Sequence, residues 1–109
     1  MEPKQLAGLG RYAGPATLIL SSLAAGEKHG YALTKDIEEF ATVRLSTGTM
    51  YAALTRLVEQ GLIEPVASDD DRRRPYRITP EGSDALQVQL SEQRRVAEVG
   101  LKRLSIGSA

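Results

Sequence analysis

The chain has 109 residues, of which 14 are basic and 14 acidic, so its formal net charge at pH 7 is zero. This length suits one domain with a single small core, and the lack of cysteine excludes disulfides and thiolate zinc sites. No segment approaches the roughly 18 apolar residues that span a bilayer, and the N-terminus lacks the basic and then apolar layout of a signal peptide. We therefore expect a cytoplasmic protein without a membrane partner.

The N-terminal part of the chain predicts one buried helix. Residues 1–13 have weak helical spacing that two glycines interrupt, and they indicate either a short helix or an ordered arm. Gly14 and Pro15 form a helix start signal, because proline suits the first helical turn. The apolar run of residues 16–25 then predicts the first helix, which Gly26 ends.

A second helix is predicted from Gly30 to about Phe40. Leu33, Ile37 and Phe40 recur at helical spacing and predict its buried face. Lys35 falls on the opposite face, where it is predicted to contact a nucleic-acid phosphate. The alternative for Lys35 is an ordinary solvated lysine.

A third helix is predicted to begin after Ser46, a favoured N-cap, and to end at Gly61. Four residues form its predicted apolar stripe: Met50, Leu54, Leu57 and Val58. The first turn is compact and carries hydroxyl groups and free backbone amides, so it can approach phosphates or base edges.

The outward side of this third helix supplies the predicted DNA contacts. They are Ser46, Thr47 and Thr49 in the first turn, Tyr51 beside the stripe, and Arg56 two turns later. Arg56 has the reach for a guanine edge or a phosphate. Two alternatives stay open: an ordinary capped surface helix, and a half-buried Tyr51 with only its hydroxyl at the surface.

An arginine-bearing loop between two short strands predicts a β-ribbon, or wing. The first strand spans residues 62–66, and the second precedes Thr79. The loop carries three consecutive arginines, Arg72, Arg73 and Arg74. Three guanidiniums on a ribbon tip suit a phosphate or minor-groove clamp. Aspartates at residues 69–71 leave open a solvated, self-neutralising turn, while a metal site on them is disfavoured because consecutive loop positions seldom converge on one ion.

The last helix predicts a dimer. Thr79 serves as its cap and Pro80 as its first residue, and the helical pattern continues to about Leu104. Five apolar residues fall on one seam: Leu86, Leu90, Ala97, Leu101 and Leu104. So small a domain cannot cover this seam, whereas the same helix of a second subunit can. The alternative is packing against the first helix of the same chain.

Three motifs in this order resemble the PadR family of transcriptional regulators, over about Gly14 to Gly82. They are His29-Gly30-Tyr31, Ser46-Thr47-Gly48-Thr49-Met50-Tyr51, and Tyr76-x-x-Thr79-x-x-Gly82. The predicted elements together indicate an α+β, mainly helical fold, and the resemblance implies the same fold: an N-terminal arm or short helix (1–13), a winged helix-turn-helix domain with a two-stranded wing (14–79), and a C-terminal dimerisation helix (80–109). This arrangement matches the family's short subgroup.

The resemblance also implies a homodimeric repressor that binds a palindromic operator in double-stranded DNA and senses a small-molecule effector. In the first motif, Gly30 is expected to serve backbone geometry. Tyr31 is expected to be either a core residue or a phosphate contact. The effector pocket is placed near Gln93 and Val96. Two departures stand out: the chain has no tryptophan for stacking a planar ligand, and three aspartates precede the wing arginines where the family commonly has glycine.

Two other functions compete with this one. Zero net charge and the acidic wing are compatible with a winged-helix protein assembly module that does not bind DNA. An enzyme is disfavoured, because His29 is the single histidine and no serine nucleophile motif or P-loop is present. His29 paired with Asp36 is conceivable as a base, but a histidine that caps a helix is the commoner arrangement. We expect no cofactor and no metal.

Overall fold

The computed structural model describes residues 4–69 and 74–107 of the chain. Four α-helices and two strands follow a 3-10 helix in the order α1 (Ala13–Leu23), α2 (Gly30–Ala41), α3 (Thr47–Glu59), β1 (Ile63–Pro65), β2 (Tyr76–Ile78) and α4 (Pro80–Gly107). The 3-10 helix, Leu6–Tyr12, is called the N-terminal segment below. The predicted class, a mainly helical domain with a two-stranded antiparallel ribbon, is confirmed.

The N-terminal segment turns out to be a short helix that belongs to the domain. Leu6 is fully buried in the core, so the segment is anchored at its start. Gly10 interrupts the helical backbone with φ 59° and ψ −126°, a conformation that residues with a side chain rarely adopt. Because α1 begins at Ala13, Pro15 is its third residue and still lies within the first turn.

Three helices share one apolar core. α1 is the central one, and its Ile19 and Leu20 have no accessible surface. The other helices contribute the following buried side chains: Leu33 and Ile37 from α2, and Met50, Ala53, Leu54 and Leu57 from α3. The predicted stripes are therefore confirmed at most positions.

Two stripe residues were assigned wrongly. Phe40 is 50% exposed and Val58 is 37% exposed. Each residue lies at the edge of the buried side of its helix. The buried side of α2 is centred between Ile37 and Ala41, which leaves Phe40 at its edge. The buried side of α3 includes Ala53, which leaves Val58 at its edge. Helical spacing alone does not reveal where the buried side is centred.

The ribbon is short and joined to the turn before α2. β1 and β2 pair antiparallel with Ile63 opposite Ile78 and Pro65 opposite Tyr76. Tyr76 also exchanges two backbone hydrogen bonds with Lys28, at 3.1 and 2.9 Å. This bridge ties the ribbon to the α1–α2 connection, so the wing is held at a fixed place beside the helices.

The predicted helix ends are confirmed in detail. The Ser46 hydroxyl accepts a hydrogen bond from the Thr49 amide at 3.1 Å, and the Thr79 hydroxyl accepts one from the Gly82 amide at 3.0 Å. Gly61 has φ 73° and follows the last turn of α3, as a helix-terminating glycine does.

α4 projects from the domain. It has 28 residues and is about 42 Å long at 1.5 Å per residue, which makes the molecule 59 Å in its longest dimension. Leu86 was predicted at the dimer seam, but it is only 6% exposed and packs in the core of its own chain. From Ser91 to Gly107 every residue is exposed. None of the helices in the described ranges has the length and apolarity that crossing a membrane requires.

Candidate nucleic-acid interface

The first turn of α3 is presented to solvent as the sequence predicts. Ser46, Thr47 and Gly48 are exposed, and a side chain at Gly48 would meet nothing within 4 Å. The Ser46 hydroxyl also donates to the Thr49 hydroxyl at 3.0 Å. Ser46 and Thr49 therefore stabilise the helix start, while Thr47 and Gly48 leave an open surface in front of it.

A groove runs between α2 and α3 beside this turn. Its walls carry Tyr31, Lys35, Arg44, Thr47 and Tyr51, with Glu38 at one side. The Lys35 ammonium lies 5.7 Å from the centre of the exposed Tyr31 ring, within cation–π range. The Arg44 guanidinium pairs with Glu38 at 3.4 Å. With two cations and one carboxylate, the groove is locally basic although the whole chain is neutral.

Tyr51 and Gly30 fit each other closely in this groove. Gly30 is the first residue of α2 and does not have a positive φ. A Cβ added to it would lie 2.9 Å from the Tyr51 hydroxyl oxygen. The expectation that this glycine serves backbone geometry is therefore wrong: the lack of a side chain lets the half-exposed Tyr51 lie over the start of α2. Tyr31 is exposed, which leaves the phosphate-contact alternative and removes the core one.

Arg56 does not extend outward from α3. Its guanidinium stacks 4.0 Å from the centre of the Tyr12 ring, and its Nη1 donates to the Ala52 carbonyl at 3.1 Å. The side chain is thus held against the N-terminal segment.

The described part of the wing contains an exposed cross-strand ion pair. Arg77 Nε lies 2.6 Å from Glu64 Oε1 in opposite positions of the two strands. The hydrogen bond that Arg77 donates to the Glu64 carboxylate, and secondly the charge of that carboxylate, raise the pKa of the Arg77 guanidinium. Such a solvent-exposed pair stabilises the fold little. Arg74 is exposed, whereas the predicted contacts Arg72 and Arg73, like the aspartates at positions 70 and 71, lie outside the described residues.

His29 and Asp36 both have structural roles. The His29 Nδ1 accepts a hydrogen bond from the Ala32 amide at 3.4 Å and caps α2. Asp36 accepts a hydrogen bond from the buried Ser22 hydroxyl at 2.5 Å and faces Lys28 at 4.0 Å. The capping interpretation of His29 is confirmed, and both residues have partners other than each other.

The order of these elements and the motifs on them match one known family. Residues 19–88, more than half of the chain, match the sequence model of the "Transcriptional regulator PadR-like family". The chain belongs to the PadR-like family of transcriptional regulators. The predicted family resemblance is thereby confirmed.

Individual relatives include proteins described as transcriptional regulators. The chain is 40% identical over 82 residues to transcriptional regulator Rv3488 of Mycobacterium tuberculosis. This match covers 73% of this chain and 72% of that protein. It is 36% identical over 80 residues to an uncharacterized 37.1 kDa protein in transposon TN4556 of Streptomyces fradiae, a match that spans 73% of this chain but only 23% of the longer protein. A PadR family transcription regulator from Clostridium difficile R20291 superposes with a TM-score of 0.73 at 32% identity, covering 82% of this chain and 96% of that one.

Two basic residues near this candidate interface were missed by the sequence analysis. Arg44 lies in the connection between α2 and α3 and lines the groove. Arg11 lies in the N-terminal segment, yet it lines the same surface depression as Ser46, Gly48 and Thr49. Arg44 is two residues before the predicted cap Ser46, so the sequence already indicated that it lies close to the start of α3. No spacing pattern indicates that Arg11 reaches α3.

Proposed function

We propose that this protein is a homodimeric repressor that binds a palindromic operator and is released by a small-molecule ligand. The groove between α2 and α3 is the observation that carries the proposal. The groove is lined by Lys35 and Arg44 together with Thr47, which lies in the exposed, hydroxyl-bearing first turn of α3. Cations in this arrangement suit backbone phosphates, while the first turn of a helix suits base edges in a major groove.

The exposed part of α4 supports the homodimer. Leu90, Ala97, Leu101 and Leu104 continue the line of the buried Leu86 along the helix and are exposed to solvent. A second copy of α4 packed along this line covers the same residues on both subunits, as two-fold symmetry requires. The two α3 helices then face successive major grooves, roughly 34 Å apart.

The effector is proposed to bind against α4, near Gln93 and Val96. Both residues are exposed and line a shallow depression together with Glu92. All the residues of this depression lie on one helix, so a ligand is enclosed there only when the second subunit covers it. The carboxylate of Glu92 in its lining favours a cationic ligand over an anionic one.

The direct experiment is selection of genomic fragments by the purified protein at moderate salt, read by sequencing. Recovery of a short inverted repeat with half-sites about ten base pairs apart supports a dimeric DNA reader. If folded protein recovers no duplex, the proposal is wrong and the assembly module is favoured. Recovery of a single half-site without its inverted copy would contradict the dimer but not the DNA binding.

Ser46 variants separate the stability of α3 from its contact with DNA. Ser46→Ala removes the cap and is expected to lower the free energy of unfolding by about 1 kcal/mol. Ser46→Asp restores a cap, because its carboxylate accepts the same amide hydrogen, but it places negative charge beside the phosphates. We expect this variant to be as stable as wild type and to bind duplex about tenfold more weakly. The matched control is Ser91→Asp on α4, and equal affinities of the two Asp variants would contradict the interface.

The wing arginines are expected to contribute to the salt dependence of binding. Simultaneous replacement of Arg72, Arg73 and Arg74 by alanine should flatten the slope of log K against log salt by up to about 2.7, since each phosphate contributes roughly 0.9. Fluorescence anisotropy at several salt concentrations measures the slope. Replacement of three basic residues on α4, Arg95, Lys102 and Arg103, is the control. An unchanged slope in the wing variant would rule out a phosphate clamp there.

A further inference from the structure

The N-terminal segment lies along α3 in the opposite direction. Just before the segment, the Lys4 ammonium donates a hydrogen bond to the carbonyl of Gln60, the C-cap residue of α3. At the end of the segment, Arg11 and Tyr12 line a depression with Ser46 and Thr49, at the start of α3. The start of the chain therefore contacts both ends of α3 and adds its own side chains to the surface beside this helix.

Tyr12 holds two arginines of this surface. The guanidinium carbon of Arg56 lies 4.0 Å from the centre of the Tyr12 ring, and that of Arg11 lies 5.1 Å from it. Both distances are within cation–π range. Arg11 Nη2 also donates a hydrogen bond to the Tyr12 hydroxyl at 3.1 Å. One half-buried aromatic ring thus brings together one cation from the N-terminal segment and one from α3.

This pair of guanidiniums is not neutralised by an acidic side chain. Within residues 4–69 and 74–107, no carboxylate lies within 4 Å of Arg11 or Arg56, whereas Arg44 and Arg77 each pair with a glutamate. Two neighbouring like charges repel each other. An anion bound by both guanidiniums offsets that repulsion, and a guanidinium presents its donors in the planar fork that phosphate oxygens accept.

The backbone at Gly10 directs this arrangement. Its φ of 59° and ψ of −126° place a kink inside the 3-10 helix, and Arg11 and Tyr12 follow directly. A residue with a Cβ is strained in this conformation. The turn that brings the two residues to α3 therefore depends on glycine at this position.

We propose that Arg11 and Arg56 form a clamp for a DNA backbone phosphate beside α3, and that Tyr12 is the positioning residue of this clamp. The N-terminal segment is then part of the nucleic-acid interface rather than a separate arm. This inference rests on the proposed DNA-binding function. Because a phosphate carries no sequence information, the clamp contributes affinity and register but not base specificity.

The test measures affinity for a labelled random-sequence duplex and for the selected operator over a range of salt concentrations. Arg11→Gln and Arg56→Gln are each expected to flatten the slope of log K against log salt by roughly 0.9, and to weaken binding to both duplexes by the same factor. Arg103→Gln, an exposed arginine on α4, is the matched control and should leave the slope unchanged. Thermal unfolding of each variant verifies that the fold is retained.

Tyr12 variants test the positioning role. Tyr12→Phe keeps the ring and should keep most of the slope, whereas Tyr12→Leu should flatten it. In the Arg11→Gln, Arg56→Gln background, Tyr12→Leu should change the slope no further.

Three results would overturn the clamp. The first is a wild-type slope of log K against log salt in the double arginine variant. The second is an affinity loss that appears with the operator but not with the random-sequence duplex. The third is a further flattening of the slope when Tyr12→Leu is added to the double arginine variant. If wild-type protein binds no duplex at all, the proposed function fails and the clamp with it. Wild-type binding with an unaltered double variant refutes the clamp alone.

Discussion

Gly82→Ala is expected to lower the free energy of unfolding by about 3 kcal/mol or more. A Cβ at this position would lie well inside the van der Waals distance of the Leu62 carbonyl oxygen, 2.9 Å from Ile78 Cγ1 and 3.0 Å from the Leu62 carbonyl carbon. The Leu62 backbone cannot yield, because its carbonyl accepts the Thr79 amide hydrogen at 3.1 Å. Urea denaturation followed by circular dichroism measures the effect.

The sign of this prediction is decided by the contact and not by helix propensity. Alanine is favoured over glycine inside a helix by about 1 kcal/mol, so Gly82 would be a stabilising target if its surroundings were open. Gly14→Ala is the matched control, because Gly14 also lies in the first turn of a helix and a Cβ there meets nothing within 4 Å. Equal unfolding midpoints for the two variants would contradict the close packing of Gly82 against Leu62 and Ile78.

The Gly82 contact also has a consequence for α4. The Thr79 hydroxyl donates to the Gly61 carbonyl at 2.7 Å and accepts from the Gly82 amide at 3.0 Å. These bonds and the close approach to Leu62 fix the direction in which α4 leaves the ribbon. A bulkier residue at position 82 would therefore move the proposed dimer helix relative to α3.

Leu101→Asp is expected to dissociate the proposed dimer. Leu101 is 68% exposed in the single chain, so the substitution has little effect on the fold of one subunit. In a two-fold dimer it removes two buried leucines, at about 1.5–3 kcal/mol each, and places two carboxylates at the interface. The dimer dissociation constant should rise by at least about a hundredfold, as sedimentation equilibrium measures. Binding to a palindromic operator should weaken with it.

Val99→Asp provides the control for this substitution. Val99 is an apolar residue of the same helix that is also exposed, but helical spacing places it on the side opposite Leu101's seam. It should leave the oligomeric state unchanged. A monomeric wild-type protein, or a Leu101→Asp variant that stays dimeric, would show that the seam is not the subunit interface.

Local chemistry along the sequence determined most of the fold. Ser46 and Thr79 have hydroxyls that cap the residues three positions later, and Gly61 adopts the positive φ that ends α3. These interactions span a few neighbouring residues, so they can be recognised without knowing the tertiary arrangement. The family motifs lie on the same elements, and for that reason the winged-helix class was predictable.

The tertiary structure decided which faces are buried and which residues meet across the chain. Helical spacing placed Phe40 and Val58 in the core, but the way the helices pack leaves both partly exposed. Spacing also placed Leu86 at the dimer seam, but Leu86 is buried in the core of its own subunit. Likewise, Gly30 is required by the approach of Tyr51, a contact between residues 21 positions apart.

The candidate interface shows the same division. The exposed start of α3 follows from its cap and could be predicted, whereas the stacking of Arg56 on Tyr12 joins residues 44 positions apart. Spacing along a helix is fixed by backbone geometry and can be read from the sequence. Contacts between separate elements depend on how those elements pack, so the sequence alone determined the helices and their ends, and only the packed structure determined the partners of Arg56, Tyr51 and Gly82.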